Sequence, residues 1–223
     1  TNPSLASLRT RIYKITLDES SLFRGISVSE MWGVKRPYLR EFLIFCFSYF
    51  RCVTVWTAGI TSYAEAICKE IFNGIEQPHF ILSREECVEV PGKGYTKPIS
   101  ILLNYPYAKE YFDPSKVYVL DDRETTAYYN RNNLIGIPQY NPAPTTENIS
   151  LMDPSLLQLL YWLTLNKDVE DVRTLDKQGI FTRSLSLYLD DLRRSGSISI
   201  PRSSSGFKDI SRAPSDTRLS LRL

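Results

Sequence analysis

Short β-branched and aromatic runs alternate with amphipathic helical runs along most of this chain, and that alternation limits the folds open to it. Residues 11–17, Cys52 to Thr57, Phe80 to Leu82, Val117 to Leu120 and Leu134 to Ile137 read as strands. Between them, Leu39, Phe42, Leu43, Cys46, Phe47 and Phe50 repeat at helical spacing, after a Pro37 suited to a first turn. Residues 61–73 read as a second helix stopped by Asn73-Gly74. Asp153-Pro154 opens a third, and Leu185, Leu189 and Leu192 mark a last one over 182–194. Strands alternating with helices predict an α/β fold, a parallel sheet flanked by helices on both faces. Cys87 to Val90, Pro91-Gly-Lys-Gly94 and Tyr95 to Lys97 read as a small hairpin set into it. In parallel sheets, ligands gather beyond the carboxyl ends of the strands. Asp18, Thr57 and the pair Asp121-Asp122 all stand at such ends.

The ends of the chain differ from its body. From Arg193 onward six Arg and one Lys stand against two Asp, a net of +5 in a chain whose formal charge is +2. Residues 1–10 read as an N-terminal arm, 11–194 as the α/β domain and 195–223 as an extended basic tail rich in Ser and Arg. Without apolar periodicity, such a tail is expected to be disordered when alone. It lacks the interleaved aromatics of a nucleic-acid module, so it reads as a protein-binding arm. No apolar run reaches the ~18 residues of a membrane span, and no signal peptide is legible. The four cysteines, Cys46, Cys52, Cys68 and Cys87, lack C-x-x-C spacing and read as reduced thiols of an intracellular protein. His79, the single histidine, reads as structural.

The order of blocks carries a resemblance. Asp18-Glu-Ser20, Lys35-Arg-Pro-Tyr-Leu-Arg-Glu-Phe-Leu43, Val53-Thr-Val-Trp-Thr-Ala-Gly59, Tyr63-Ala64, Arg84-Glu-Glu-Cys-Val88, Gly94-Tyr-Thr-Lys97 and Val119-Leu-Asp-Asp122 follow one another. Over residues 11 to 173 this order resembles the RNA polymerase II C-terminal-domain phosphatases, the NLI-interacting-factor-like family of the haloacid dehalogenase superfamily. The resemblance implies a first Asp of an Asp-x-Asp pair that attacks phosphorus and a second that serves as acid and base. It also implies Mg²⁺. Carried over by register, Asp18 is the acid/base and Thr57 the hydroxyl holding phosphoryl oxygens. Lys97 is the charge-neutralising cation, Asp121 orients it, and Asp18 and Asp122 reach the metal. Members occur in large DNA viruses such as iridoviruses, so recruitment into a viral particle is one expectation.

The nucleophile does not carry over: Thr16 stands in its place, and Ser20 where the family has Thr. A threonine hydroxyl stays protonated at neutral pH, and no histidine or terminal amine is on hand as a base. Losing that carboxylate also removes an anionic ligand, so Mg²⁺ binding is expected to be weakened or lost. The first expectation is therefore a catalytically degraded phosphatase serving as an interaction or structural subunit, with other protein chains as partners. The second slips the register by two, makes Asp18 the nucleophile and Ser20 the acid's replacement, and yields an active Mg²⁺-dependent phosphoserine/phosphothreonine phosphatase. Plainer readings stand beside these: Thr57 as a helix cap, Lys97 as a solvated turn lysine, and Asp121 as a structural partner for it.

Overall fold

The computed structural model describes residues 8–18 and 28–197. The first strand, β1 (Ile12–Asp18), pairs antiparallel with β2 (Val28–Val34), in a register that sets Lys14 opposite Trp32 and Thr16 opposite Glu30. The alternation of β1 buries Ile15 and Leu17 and leaves Ile12, Lys14 and Thr16 exposed. β1 is thus a one-sided ribbon strand, not the buried strand its run of Ile, Tyr and Leu suggests. β2 was not legible as a strand because Gly33 interrupts it. The tip of the Tyr13 ring lies over that glycine, where a Cβ would come within 2.2 Å of it and force the ring to move.

The ribbon packs on α2 (Thr61–Ile71), and Lys35 at its exit pairs with Glu70 of that helix at 2.7 Å. α2 in turn packs on α1 (Leu39–Tyr49) through Leu43, Cys68 and the fully buried Phe72. Gly74, at φ 71°, ends the turn after α2 in a conformation that favours glycine. α1 begins two residues after Pro37, not at it. Tyr38, left-handed at φ 63°, is the N-cap, and Pro37 lies just outside the helix.

The remaining strands are short. β3 (Thr54–Trp56) pairs parallel with β4 (Phe80–Leu82), and β7 (Val119–Asp121) pairs parallel with β8 (Leu134–Gly136). β5 (Val88–Val90) and β6 (Gly94–Thr96) form the expected hairpin, turning through Gly92 at φ 72°. The described strands therefore form four two-stranded sheets, two parallel and two antiparallel, in place of the one parallel sheet expected. The helix α3 (Pro106–Tyr111) and the short α4 (Thr146–Ser150) fall in stretches whose sequence carries no clear period.

The main core lies on the other side of α1. Phe42, Phe45 and Cys46 meet Ile135 of β8, Leu156, Leu159, Trp162 and Leu163 of α5 (Ser155–Leu165) and Tyr188 of α6 (Leu185–Arg194). The Tyr188 hydroxyl donates to Ile180 O at 3.0 Å, which satisfies its one polar atom in this apolar layer. His79 is packed in structure: its Nδ1 accepts from Val53 N–H at 3.2 Å and its ring stacks on Tyr107 at 5.0 Å.

Asp153 ties the start of α5 to Arg36. Its carboxylate accepts from Arg36 Nη2 at 2.8 Å and from Ser155 N–H at 2.9 Å. Burial pushes the Asp153 carboxyl up, but these hydrogen bonds outweigh it and hold the group below the ordinary carboxylate range. A folded-state value below the unfolded one gives stability that is full above about pH 4 and lost as pH falls through the folded value. Urea unfolding of wild type and Asp153→Asn at a series of pH values is expected to show a gap at neutral pH that narrows below about pH 4. A gap unchanged down to acid pH would mean that the contact does not act through the carboxylate.

Candidate functional site

Lys97 and Asp121 are brought together by two strand ends. β6 closes on Thr96, fully buried, whose hydroxyl donates to Val88 O at 2.7 Å. The next N–H, that of Lys97, donates to Thr126 O at 2.7 Å in the turn that follows β7. This fastens the Lys97 stem beside the last residue of β7, Asp121. Lys97 Nζ donates to Asp121 Oδ2 at 2.6 Å, with 11% and 9% of the two side chains exposed. The other carboxylate oxygen accepts from Arg123 N–H at 3.0 Å. Both oxygens of Asp121 are therefore engaged within the chain. Asp122, the next residue, is exposed.

Thr57 follows β3. Its N–H donates to Leu82 O at 3.0 Å and its Oγ1 accepts from Gly59 N–H at 3.0 Å. The hydroxyl oxygen thus organises the turn before α2, whose own N-cap is Ile60. Cys87, half-buried, lies in the same neighbourhood. Its Sγ is 3.5 Å from Ser83 O and 3.8 Å from Thr57 O. Burial pushes this thiol up, against the opposing pull of the Trp56 indole and of Lys97, so the thiolate is disfavoured. A single cysteine between two strand runs carries no signal from which that position could be read.

A cleft of about 120 Å³ separates β3 from β7, lined by Thr54, Trp56, Lys97, Tyr118, Leu120 and Asp121 among others. The parallel ladders explain its walls. Val53 and Thr57 bond toward β4, so by alternation Thr54 and Trp56 turn their peptide groups the other way. Asp121 O accepts from Ile137 N–H on the β8 side, so by alternation Leu120 of β7 and Tyr118 just before it turn their peptide groups away from β8, toward the cleft. Among the described residues β3 pairs with β4 alone and β7 with β8 alone. Trp56 lines this cleft half-buried.

The first candidate residues stand elsewhere. Thr16 is exposed on the outer face of the β1–β2 ribbon. Its cross-strand neighbour Glu30 accepts from Lys14 Nζ at 2.5 Å. Among the described residues no hydrogen bond or ion pair joins Thr16 to Thr57, Lys97 or Asp121. Asp18 is the last residue of β1, its Cα opposite Val28, while its side chain and the whole of Ser20 lie outside the described residues.

Mg²⁺ keeps several waters and takes one or two carboxylates from a protein. Of the two residues assigned to it, Asp122 is exposed and the Asp18 carboxylate lies outside the described residues, while Asp121 is engaged by Lys97 and Thr16 is uncharged. Among the described residues no three His, Cys, Asp or Glu side chains are grouped to hold a metal ion.

A family model described as NLI interacting factor-like phosphatase matches residues 14–173, more than half of the chain. The matched span contains Thr16, Asp18, Thr57, Lys97, Asp121 and Asp122. No curated protein matches the chain. Among the described residues no helix is long and apolar enough to cross a membrane.

Proposed function

Because the chain belongs to the NLI interacting factor-like phosphatase family, we propose that it is a member without turnover, used as an interaction or structural subunit. The observation that carries this reading is Thr16: an uncharged, exposed side chain on β1 where the family's mechanism needs a carboxylate. Lys97 is held by Asp121 at 2.6 Å, the contact the resemblance implies for active and inactive members alike, so it does not separate the two readings. What these residues still do is structural: Asp121 and Lys97 join the hairpin to the end of β7, and Thr57 shapes the turn into α2.

The finer fold belongs to the same proposal. The two parallel pairs, β3–β4 and β7–β8, are two halves of a haloacid-dehalogenase-like sheet whose middle is the 120 Å³ cleft. The setting is an assembly of protein chains reached through the basic tail, a viral particle being the case suggested by the family's presence in large DNA viruses. A second reading rests on the place of Asp18 as the closing residue of β1. There it would attack phosphorus itself, with phosphoserine or phosphothreonine as substrate.

The test is hydrolysis of a generic aryl phosphate by the full chain with Mg²⁺, wild type beside Asp18→Asn. Product release from both at the rate of buffer alone is the expected outcome. Wild-type turnover that disappears in Asp18→Asn sinks the proposal and favours the second reading.

A further inference from the structure

A cleft of about 530 Å³ opens between the turn after Lys97, the turn after α3 and the loop over residues 128–133. That is within the ~300–1,000 Å³ range of clefts that hold ligands. Its walls are of two kinds. Phe112, Pro114, Tyr128 and Tyr129 offer apolar surface, with Tyr129 57% exposed. The charged side chains that line it are Arg131 and Arg173, and no carboxylate does.

The two arginines are not equivalent. Arg173 grips Asp171 with two parallel hydrogen bonds, Nε to Oδ1 at 2.9 Å and Nη2 to Oδ2 at 2.7 Å. That grip holds the Asp171 carboxyl down to about 2, and the Arg173 charge is thereby compensated. Arg131 makes no ion pair among the described residues, and its guanidinium lies 5.7 Å from the centre of the Tyr128 ring. Asn130, 8% exposed, braces the wall from within. Its Oδ1 accepts from Ile99 N–H at 3.2 Å, which fixes the amide's orientation and leaves Nδ2 without a partner.

We propose that this cleft binds an acidic peptide segment of a partner protein, one that carries an aromatic or proline side chain between carboxylates. The tyrosines, Phe112 and Pro114 take the apolar side chain, and Arg131 takes a carboxylate. A single uncompensated cation matches a carboxylate better than a polyanion such as a nucleic-acid backbone. The chain's own tail is the wrong occupant, because residues 195–223 carry four Arg and one Lys against two Asp, a net charge of the same sign as Arg131. This deepens the interaction-subunit reading by giving the partner's chemistry, and it rests on that reading for a partner to exist. Turnover measurements test that reading and leave peptide binding untouched, so the two can fail separately.

The experiment uses the full chain and a fluorescein-labelled peptide, Glu-Asp-Phe-Pro-Asp-Glu, followed by fluorescence anisotropy at low ionic strength. Saturable binding is expected, weakened about tenfold or more in Arg131→Glu and several-fold in Tyr129→Ala. Both side chains are exposed, and unchanged circular dichroism spectra would show that the variants are folded. Four results would each overturn the proposal. These are absence of saturable binding, equal binding of Lys-Lys-Phe-Pro-Lys-Lys, indifference to both substitutions, and tighter binding of a single-stranded oligonucleotide at the same residues.

Discussion

Removing either partner of the Lys97–Asp121 pair is expected to cost about 3–5 kcal/mol, because the charge left behind is about nine-tenths buried and loses its counter-ion. Lys97→Met strands the Asp121 carboxylate with only the Arg123 N–H, and Asp121→Asn strands the ammonium. The double variant Lys97→Met/Asp121→Asn removes both charges and keeps an acceptor for Arg123. It is expected to recover most of the loss, since a buried pair as a whole contributes little over uncharged groups. Urea midpoints of the four proteins give the coupling directly. Additive single losses would mean that the two side chains do not meet, and the account of the hairpin's attachment to β7 would fall with them.

Phe72→Ala is the other large effect, about 3–5 kcal/mol by loss of transfer energy and the cavity left behind. Phe72 is fully buried and meets Phe47 of α1 edge-on at 6.0 Å. Since α2 carries the β1–β2 ribbon, loosening Phe72 also loosens the support of Thr16 and Asp18. Amide hydrogen exchange is therefore expected to speed up in β1 more than in α5, beyond the fall in the urea midpoint. Equal protection of both elements after the substitution would show that α2 and the ribbon do not form a unit.

How far the sequence alone reached depends on the kind of signal each element carries. α1, α5 and α6 were legible because their apolar residues recur at helical spacing over ten or eleven residues. The hairpin was legible from Pro91-Gly-Lys-Gly94, since its turn chemistry is local. The pairing of strands was not. Three-residue strands such as β3, β4, β7 and β8 have no period long enough to show which edges stay open, and β2 hides behind Gly33. At the site, strand ends pointed to Asp18, Thr57 and Asp121-Asp122 because such ends sit where ligands gather, whereas Lys97 came from the family resemblance. The contact of Lys97 with Asp121, across 24 residues of sequence, came from the family resemblance and not from spacing. Neither Cys87 beside Thr57 nor the cleft at Asn130 had any local pattern to reveal it. Both arise from loops brought together by the fold.

The most direct test of the central claim is a search for the covalent intermediate itself. The full chain would be incubated with an aryl phosphate and Mg²⁺, quenched in acid and weighed intact, with Thr16→Asp treated alongside. The account predicts unmodified protein in both cases. Wild-type Thr16 is no nucleophile, and a carboxylate placed on the exposed face of the ribbon has no contact with Lys97 or Asp121 to assist it. A phosphoryl adduct on wild type, mapped to Asp18, would contradict the loss of turnover. An adduct on Thr16→Asp alone would contradict the separation of β1 from the Lys97–Asp121 pair.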